Sequence, residues 1–140
     1  MTTNQTLTDA GSGRTTVHSD QEYQHYQEMS DEEKQAFLKK SYTYRNPRDR
    51  YATSRDFHAR ELEIQAIRKG FDKKGRIVDL ACGNGYTLLS LAKSLDDWEM
   101  VGVDFTESLV DGARYLLEED RSELRSFPEF VCADAIKYVA

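Results

Sequence analysis

The pattern of hydrophobic and polar residues changes near residue 75. Beyond it, short apolar runs alternate with longer segments in which leucine, valine and alanine recur every three or four positions. The apolar runs Arg76–Leu80, Met100–Asp104 and Glu129–Cys132 predict β-strands, and the first of these is predicted to be buried. The segments that begin near residues 86 and 107 predict amphipathic helices of about three turns, because such a repeat places apolar side chains on one helix face. The resulting β-α-β-α-β order predicts an α/β fold with a parallel sheet and right-handed crossovers.

Three consecutive parallel strands of this kind lie side by side in a Rossmann-like sheet, in the order 3-2-1. Cys82 and Cys132, the only two cysteines, follow the first and third strands. The second strand separates them by two strand spacings, roughly 9–10 Å, which is too far for a disulfide. We therefore predict two buried, reduced thiols. Because the cysteines form no C-x-x-C pair and the three histidines show no H-x-x-x-H spacing, no metal site is predicted.

The residues before this unit divide into a polar tail and helical segments. Residues 1–20 contain almost no large apolar side chains. They are predicted to form a flexible tail, because they cannot bury enough surface to offset the entropy of ordering. Residues 21–45 are predicted to be helical. Ser30 and Glu33 form a capping box, in which the hydroxyl and the carboxylate each accept a hydrogen bond from a backbone N–H group at the helix start.

A loop rich in tyrosine and arginine follows, over residues 42–51. The Asn-Pro pair within it disfavours helix. Thr53 or Ser54 is predicted to cap a further helix that ends at Gly70. The chain is thus predicted to comprise three parts: a flexible tail over 1–20, a helical lid or cap segment over 21–70, and the first half of a Rossmann-like ligand-binding domain over 71–140.

Length and composition set limits on function. The 140 residues suggest one domain, and the contents of 31% charged and 39% hydrophobic residues are typical of a soluble globular protein. The formal net charge of −6 provides no general attraction to nucleic acid or anionic lipid. No apolar run approaches the ~18 residues of a membrane helix, and the N-terminus has no apolar signal core. We therefore expect a cytoplasmic protein without a membrane partner.

The sequence RIVDLACGNGYTLLSLAK, which begins at Arg76, contains the main candidate ligand site. Gly83 and Gly85 lie in the turn between the first strand and the following helix, where glycine permits a positive φ and close approach of a ligand to the backbone. The helix start directs free N–H groups to the same place. Asp104 ends the next strand, 25 residues after Asp79, close to the spacing at which an acid accepts hydrogen bonds from ribose hydroxyls.

Two classes of nucleotide-containing ligand fit this unit. Binding of NAD or FAD needs G-x-G-x-x-G, but Leu88 occupies the position of the third glycine. The carboxylate of Asp79 would also repel a diphosphate and favour a ligand that is cationic nearby. S-adenosylmethionine carries an ammonium and a sulfonium group and no phosphate, so the sequence favours it, with an NAD-dependent oxidoreductase as the alternative. A P-loop is excluded, because the sequence contains no G-K-[ST].

The same residues resemble a known family. Asp79–Gly85, DLACGNG, resembles the first motif of class I S-adenosylmethionine-dependent methyltransferases, D/E-x-G-x-G-x-G. Val103-Asp104 is similar to the second motif, and Cys132-Ala-Asp134 is similar to the third. The resemblance covers about half of the chain, from residue 70 to the end.

The resemblance implies roles for the acids of these motifs. Asp79 would lie near the methionine amino group, Asp104 would bind both ribose hydroxyls, and Asp134 would face the adenine amine. The alternative for Asp79 and Asp134 is to cap the helix that follows, and the alternative for Asp104 is a solvated turn acid. Backbone and packing contacts to the cofactor would come from Ala81, Cys82, Gly83, Gly85, Phe105, Ala133 and Ala135.

The loop departs from the family at one position. Ala81 replaces the first glycine of the motif. We expect the replacement to be tolerated if φ at this residue is negative, because alanine has the smallest side chain that can replace glycine. A positive φ would strain an alanine and change the loop geometry.

The resemblance also implies an activity, which is methyl transfer from S-adenosylmethionine to an acceptor. A small-molecule acceptor is expected, because the chain lacks a basic face for nucleic acid. No catalytic base is identified, and His58 is expected to lie on a helix surface. The N-terminal helices of this family often cover the cofactor and acceptor, so Tyr42, Tyr44, Arg50 and Tyr51 are expected to provide substrate or lid contacts.

The family's sheet has seven strands in the order 3-2-1-4-5-7-6, whereas this chain supplies three. We expect the chain to be the N-terminal part of a longer enzyme. The alternatives are a natural fragment that pairs with itself, as a homo-oligomer, or with a chain that carries the missing C-terminal half, and a non-catalytic cofactor-binding module. In a three-stranded sheet the first strand has an unpaired edge, which favours association.

Overall fold

The computed structural model describes residues 7–8, 15–16, 20–43 and 46–140. Two short strands, β1 (Leu7–Thr8) and β2 (Thr15–Thr16), pair antiparallel. The rest of the predicted flexible tail lies outside the described residues, apart from its last position. The chain divides into two compact units, Met1–Leu38 and Lys39–Ala140. The predicted division at residues 20 and 70 stays a prediction.

Two helices occupy the segment predicted to be helical, α1 (Asp20–Glu28) and α2 (Asp31–Thr43). The capping box between them is confirmed. The N–H of Ser30 donates to the carboxylate of Glu33 at 2.8 Å, and the N–H of Glu33 donates to the hydroxyl of Ser30 at 3.3 Å. These hydrogen bonds also lower the pKa of Glu33. The box marks the start of α2, because it provides acceptors for two backbone N–H groups that have no partner within the helix.

The second unit contains a sheet of three parallel strands, β3 (Arg76–Leu80), β4 (Glu99–Asp104) and β5 (Glu129–Cys132). The order β3-β4-β5 confirms the predicted 3-2-1 arrangement. The register pairs Leu80 with Val103, and Asp104 with Cys132. The carboxyl ends of the strands therefore meet at one edge of the sheet, which is where ligands bind in folds of this type.

Helices connect and cover these strands: α3 (Phe57–Lys69), α4 (Tyr86–Ala92), α5 (Glu107–Asp120) and α6 (Ala135–Val139), with a 3₁₀ turn at Arg121–Glu123. The predicted cap of α3 at Thr53 or Ser54 is wrong. The carboxylate of Asp56 accepts from the N–H of Ala59 at 2.9 Å, so the helix begins later. The helix ends before Gly70, as predicted.

The core lies between the sheet and helices α4 and α5, and its most deeply buried side chains include Leu88, Leu89, Leu91, Val103, Leu109 and Val110. Strand β3 was expected to be buried, but Val78 and Leu80 are 38% and 44% exposed. Among the strands that the structure describes, β3 pairs only with β4, and its burial alternates from residue to residue.

The prediction of two buried thiols is half wrong. Both cysteines are free, and Cys82 is buried, but Cys132 is exposed. Cys132 ends β5, which is the other edge strand of the sheet, so the sheet does not cover it on both sides.

Across the described parts of the chain, none of the helices combines the length and the apolar character that crossing a membrane requires.

Candidate functional site

The loop between β3 and α4 has a left-handed backbone at three of its five residues. The φ angles are 62° at Ala81, 57° at Gly83 and 85° at Gly85. The condition for an unstrained alanine, a negative φ, is therefore not met at Ala81, and the strain expected for a positive φ applies. An alanine in this conformation brings its Cβ close to the following carbonyl oxygen, at a cost of roughly 1–2 kcal/mol. The loop conformation therefore strains Ala81. Gly83 and Gly85 adopt the same left-handed backbone without this cost, because they have no Cβ.

Both glycines are also required by their neighbours. A Cβ at Gly85 would lie 2.7 Å from the ring of Phe130, and one at Gly83 would lie 3.1 Å from the methyl group of Thr53. The N–H of Gly85 donates to the carbonyl of Cys82 at 3.0 Å and closes the turn. Gly85 is the N-cap of α4, which has no side-chain capping bond, so the alternative reading of Asp79 as its cap is wrong.

Asp104 connects the glycine loop to the next strand. One of its carboxylate oxygens accepts from the N–H of Gly83 at 2.9 Å, and the other accepts from the N–H of Thr106 at 2.8 Å. The residue is only 5% exposed, so the alternative of a solvated turn acid is wrong. A carboxylate oxygen can accept more than one hydrogen bond, so each retains the capacity to accept from a ligand hydroxyl.

A cavity of about 400 Å³ lies at the carboxyl ends of β3 and β4. Six of the predicted site residues line it: Asp79, Ala81, Cys82, Gly83, Asp104 and Phe105. Five further residues complete the lining: Thr53, Arg60, Glu63, Thr87 and Leu109. The described lining therefore carries three carboxylates and one guanidinium group.

Asp79 is the most electrostatically perturbed acid of this cavity. Burial raises the pKa of its carboxyl to about 6, and the nearby charge of Asp104 raises it further, whereas Arg60 acts in the opposite direction. Burial also raises the pKa of the Cys82 thiol well above its usual value, so this thiol stays protonated. A carboxylate whose charged form is disfavoured in this way would gain from a cation placed beside it.

Sequence reasoning missed the contribution of helix α3 to this cavity. Arg60 and Glu63 are three residues apart, a spacing that places both side chains on one helix face. The only sequence signal was that spacing, because the apolar stripe of α3 is irregular and does not show which face meets the sheet. Tertiary packing makes that choice.

The residues beyond β5 do not line this cavity. The carboxylate of Asp134 accepts from the N–H groups of Ile136 at 2.9 Å and Lys137 at 3.2 Å, so it caps α6, as the alternative reading held. The N–H of Ala133 donates to the carbonyl of Asp104 at 2.9 Å. The adenine-binding roles of Ala133, Asp134 and Ala135 stay predictions.

The predicted lid residues have other contacts where the structure describes them. The guanidinium of Arg50 donates to both carboxylate oxygens of Asp120 at 2.6 Å. Tyr51 packs on Phe57 at 4.5 Å and on Tyr86 at 5.7 Å between ring centroids. Neither Arg50 nor Tyr51 is among the described residues that line the cavity.

Two further expectations concern the same region. The side chains of Tyr42 and Tyr44 lie outside the described residues, so their lid role stays a prediction. His58 is exposed on α3, as expected of a helix-surface residue.

Comparison with known proteins finds similarity in the second half of the chain. Residues 77–139 match a family model described as "Methyltransferase domain". The protein named "Putative methyltransferase YqeM" of Bacillus subtilis is 30% identical over an alignment that covers 52% of this chain and 34% of that protein. The chain thus spans about a third of the length of this relative.

Solved structures with similar folds include two proteins of greater length. The PH0226 protein of Pyrococcus horikoshii is 29% identical with a TM-score of 0.48, over 59% of this chain and 34% of that one. Magnesium protoporphyrin IX methyltransferase of Synechocystis, solved with bound S-adenosylmethionine, is 22% identical with a TM-score of 0.45, over 55% of this chain and 36% of that one.

Proposed function

We propose that this chain is the cofactor-binding portion of an S-adenosylmethionine-dependent methyltransferase, because residues 77–139 match the methyltransferase-domain family model. The reaction proposed is methyl transfer from S-adenosylmethionine to a small-molecule acceptor. The observation that carries the proposal is the cavity between the glycine loop and Asp104, with Asp79 as a half-buried acid that lines it. Its volume of about 400 Å³ lies in the range common for small-molecule sites, about 300–1,000 Å³.

The charge of the cavity supports a cationic cofactor end. Two carboxylates line the cavity from different elements. Asp79 lies near the end of strand β3, and Glu63 lies on helix α3. The ammonium group of S-adenosylmethionine would favour the ionised form of Asp79, whose pKa burial otherwise raises. A diphosphate in the same position would be repelled, so NAD fits this lining less well.

The glycine loop and the end of β4 would hold the nucleoside. Asp104 would accept hydrogen bonds from the ribose hydroxyls with the capacity left by its two backbone donors. Ala81 and Gly83 line the cavity beside it. Phe105 would pack on the adenine. Asp134 and its neighbours would contact the adenine amine in this proposal.

The chain's own contribution to the reaction would be binding, orientation and exclusion of water. S-adenosylmethionine supplies a methyl group on a positively charged sulfur, and in the in-line displacement the acceptor's electron pair forms the new bond to carbon while the carbon–sulfur pair returns to sulfur. Alignment of the acceptor can account for much of the rate increase. A base is needed only where the acceptor must lose a proton, and we assign none of the described residues to that role.

Calorimetric titration with S-adenosylhomocysteine and with NAD tests this function. We expect heat from S-adenosylhomocysteine and none from NAD, because the lining disfavours a diphosphate. Binding of NAD alone would overturn the proposal. Binding of S-adenosylhomocysteine without methyl transfer to any acceptor in the complete protein would instead support the non-catalytic module. The cytoplasmic location and the pairing with itself or with a C-terminal half stay predictions.

A further inference from the structure

We propose that the segment of residues 46–53, which precedes helix α3, is coupled to the glycine loop through Asn84, so that docking of the segment and ligand binding in the cavity strengthen each other. Asn84 is a positioning residue in this coupling. It lies in the glycine loop but is not among the described residues that line the cavity. The ligand is the one of the proposed function, on which this inference rests.

Segment 46–53 is held together by its own hydrogen bonds. The N–H of Asp49 donates to the carbonyl of Asn46 at 3.1 Å, and the N–H of Ala52 donates to the carbonyl of Asp49 at 2.9 Å. The carboxylate of Asp49 accepts from the N–H of Tyr51 at 3.0 Å. Because consecutive turns of this kind restrict the backbone, we expect the segment to dock and undock as one piece.

Contacts with helix α5 attach the segment. Pro47 packs where Gly112 has no side chain, since a Cβ at Gly112 would lie 2.2 Å from the Pro47 carbonyl oxygen. The guanidinium of Arg50 donates to both carboxylate oxygens of Asp120, a residue that is only 6% exposed. None of these four residues is among the described residues that line the cavity. The attachment can therefore be changed without removing a group that would contact the ligand.

Asn84 joins the segment to the glycine loop. Its side chain is fully buried, and its amide nitrogen donates to the carbonyls of Pro47 at 3.1 Å and Asp49 at 2.7 Å. Both partners are carbonyl oxygens, so the NH₂ group must face them. Within the described residues, the amide oxygen is buried and has no hydrogen-bond partner. The two hydrogen bonds to the segment therefore fix this side chain.

The glycine loop needs such support, because its conformation is strained. Ala81 has a φ of 62°, and a strained backbone persists only where surrounding contacts hold it. On the cavity side, the N–H of Gly83 donates to the carboxylate of Asp104 at 2.9 Å. The next residue, Asn84, is held by the segment. Undocking would leave its buried amide without acceptors, which is unfavourable, so the loop would rearrange next to Gly83.

The segment also forms part of the cavity wall. Thr53 lines the cavity, and its methyl group lies 3.1 Å from the position of a Cβ at Gly83. Docking thus determines both this wall and the backbone beside it. A ligand that fits this shape binds the docked state more tightly than the undocked state. By thermodynamic linkage, it must then stabilise docking by the same factor.

Affinity and proteolysis measure the two sides of this coupling. In calorimetric titrations of the 140-residue chain with S-adenosylhomocysteine, we expect Gly112→Ala and Asp120→Ala each to weaken binding about five- to tenfold, because both displace the segment. In the unchanged protein, saturating S-adenosylhomocysteine should slow tryptic cleavage after Arg48 by a similar factor, since cleavage follows local opening. Cleavage after Lys73, in the exposed connection before β3, should change less than about twofold.

Asn84→Leu tests whether the coupling runs through Asn84, because leucine has a similar branched shape without hydrogen-bonding groups. We expect this variant to weaken binding about five- to tenfold and to lose most of the ligand-dependent protection after Arg48. Adding Gly112→Ala should weaken binding less than about twofold further, because both changes break one coupling. Circular dichroism melting curves would show that each variant is folded, and Asn84→Ala replaces Asn84→Leu if the latter is not.

Glu118→Ala is the matched control for Asp120→Ala. Glu118 lies in the last turn of the same helix and pairs with Arg121 rather than with the segment. Its removal should leave both the affinity for S-adenosylhomocysteine and the ligand-dependent protection after Arg48 unchanged.

Four outcomes would overturn the inference. Unchanged affinity in both Gly112→Ala and Asp120→Ala would show that docking does not act on the cavity, while the proposed function would stand. Equal protection after Arg48 and Lys73 would assign the effect to general stabilisation of the fold. Additive losses in the double variant would remove Asn84 from the coupling. If the unchanged chain does not bind S-adenosylhomocysteine, the proposed function fails and this inference fails with it.

Discussion

At the scale of single residues, the acid before the glycine loop has the clearest functional signature. Asp79 lies in the cavity wall, and burial raises the pKa of its carboxyl to about 6. Above that pH the folded protein holds an anion that its surroundings disfavour. Two measurable consequences follow, one for ligand affinity and one for stability.

We predict that Asp79→Asn weakens binding of S-adenosylhomocysteine at pH 7.5 by about tenfold, because one charge-assisted contact is lost. In the unchanged protein the affinity should fall as the pH drops through about 6, where Asp79 becomes protonated. The variant should lack this pH dependence. Calorimetry between pH 5 and 8 would measure both effects.

Asp97→Asn is the matched control for this prediction. Asp97 is an exposed acid that pairs with Lys74, and its positive φ of 55° is one that asparagine also tolerates. The Asp97→Asn variant should bind S-adenosylhomocysteine with the same affinity and the same pH dependence as the unchanged protein. A pH-independent affinity in the unchanged protein would argue against Asp79 as the group that contacts the ligand.

The same carboxyl predicts a stability change of defined sign. Its folded pKa of about 6 exceeds the ordinary value of 3.8 for an aspartate, so the folded state binds the proton more tightly than the unfolded chain. The stability associated with this group is fully present below about pH 4 and is lost as the pH rises through about 6. Asp79→Asn should therefore raise the free energy of unfolding at pH 7.5, with little gain at pH 4, in denaturant titrations. A loss of stability at pH 7.5 would contradict the prediction.

Ala81 is the second residue with a testable consequence. Its φ of 62° lies in the region that favours glycine. We predict that Ala81→Gly raises the free energy of unfolding by up to about 1 kcal/mol, the relief of left-handed strain less the entropy that glycine adds to the unfolded chain. Ala66→Gly, at an exposed position within α3, should instead lower it by about 1 kcal/mol. If both variants lose stability equally, the conformation of the loop differs from the one described.

At the scale of elements, the loop that precedes α3 is a docked segment. The side-chain amide of Asn84, which is fully buried in the glycine loop, donates to the carbonyls of Pro47 at 3.1 Å and Asp49 at 2.7 Å. Arg50 pairs with Asp120 at the end of α5. The segment from Pro47 to Arg50 thus contacts the glycine loop and α5, and the same tyrosine- and arginine-rich sequence that suggested a lid provides these contacts.

Gly112 makes this docking possible, because α5 has no side chain where Pro47 packs. A Cβ there would lie 2.2 Å from the Pro47 carbonyl oxygen. We predict that Gly112→Ala displaces the segment and accelerates tryptic cleavage after Arg48 and Arg50 several-fold or more, because cleavage follows local opening. Limited proteolysis with mass-spectrometric identification of the fragments would measure this effect.

Gly75→Ala is the control, since no heavy atom lies within 4 Å of a Cβ added at Gly75. Its cleavage pattern should not change. Equal cleavage in the Gly112→Ala and Gly75→Ala proteins would show that the segment does not depend on the close approach to α5.

At the scale of the whole molecule, the two edge strands of the sheet are more exposed than the sequence predicted. Strand β3 exposes Val78 and Leu80, although its apolar sequence predicted burial. Strand β5 ends in an exposed Cys132. Sequence reasoning took an apolar run as a buried strand, but burial depends on how many neighbours a strand has, and that number is a property of the complete sheet.

The local pattern of the sequence by itself determined much of this protein. Alternating strand and helix periodicities specified the β-α-β-α-β order, and the parallel crossovers then required the strand order β3-β4-β5. The glycine spacing located the turn, and the predicted strand ends placed Asp79 and Asp104 together at the carboxyl ends of the strands. These features depend on neighbours along the chain or on rules that hold for every parallel sheet.

Only the tertiary structure decided the left-handed φ of Ala81 and the position of Arg60 and Glu63 at the cavity. Each depends on which surfaces meet across long separations in sequence. Packing determines which face of α3 meets the cavity. The conformation of the glycine loop is fixed by a hydrogen bond to Asp104 and by the close approach of Thr53 and Phe130. The spacing of residues along the sequence does not predict those contacts.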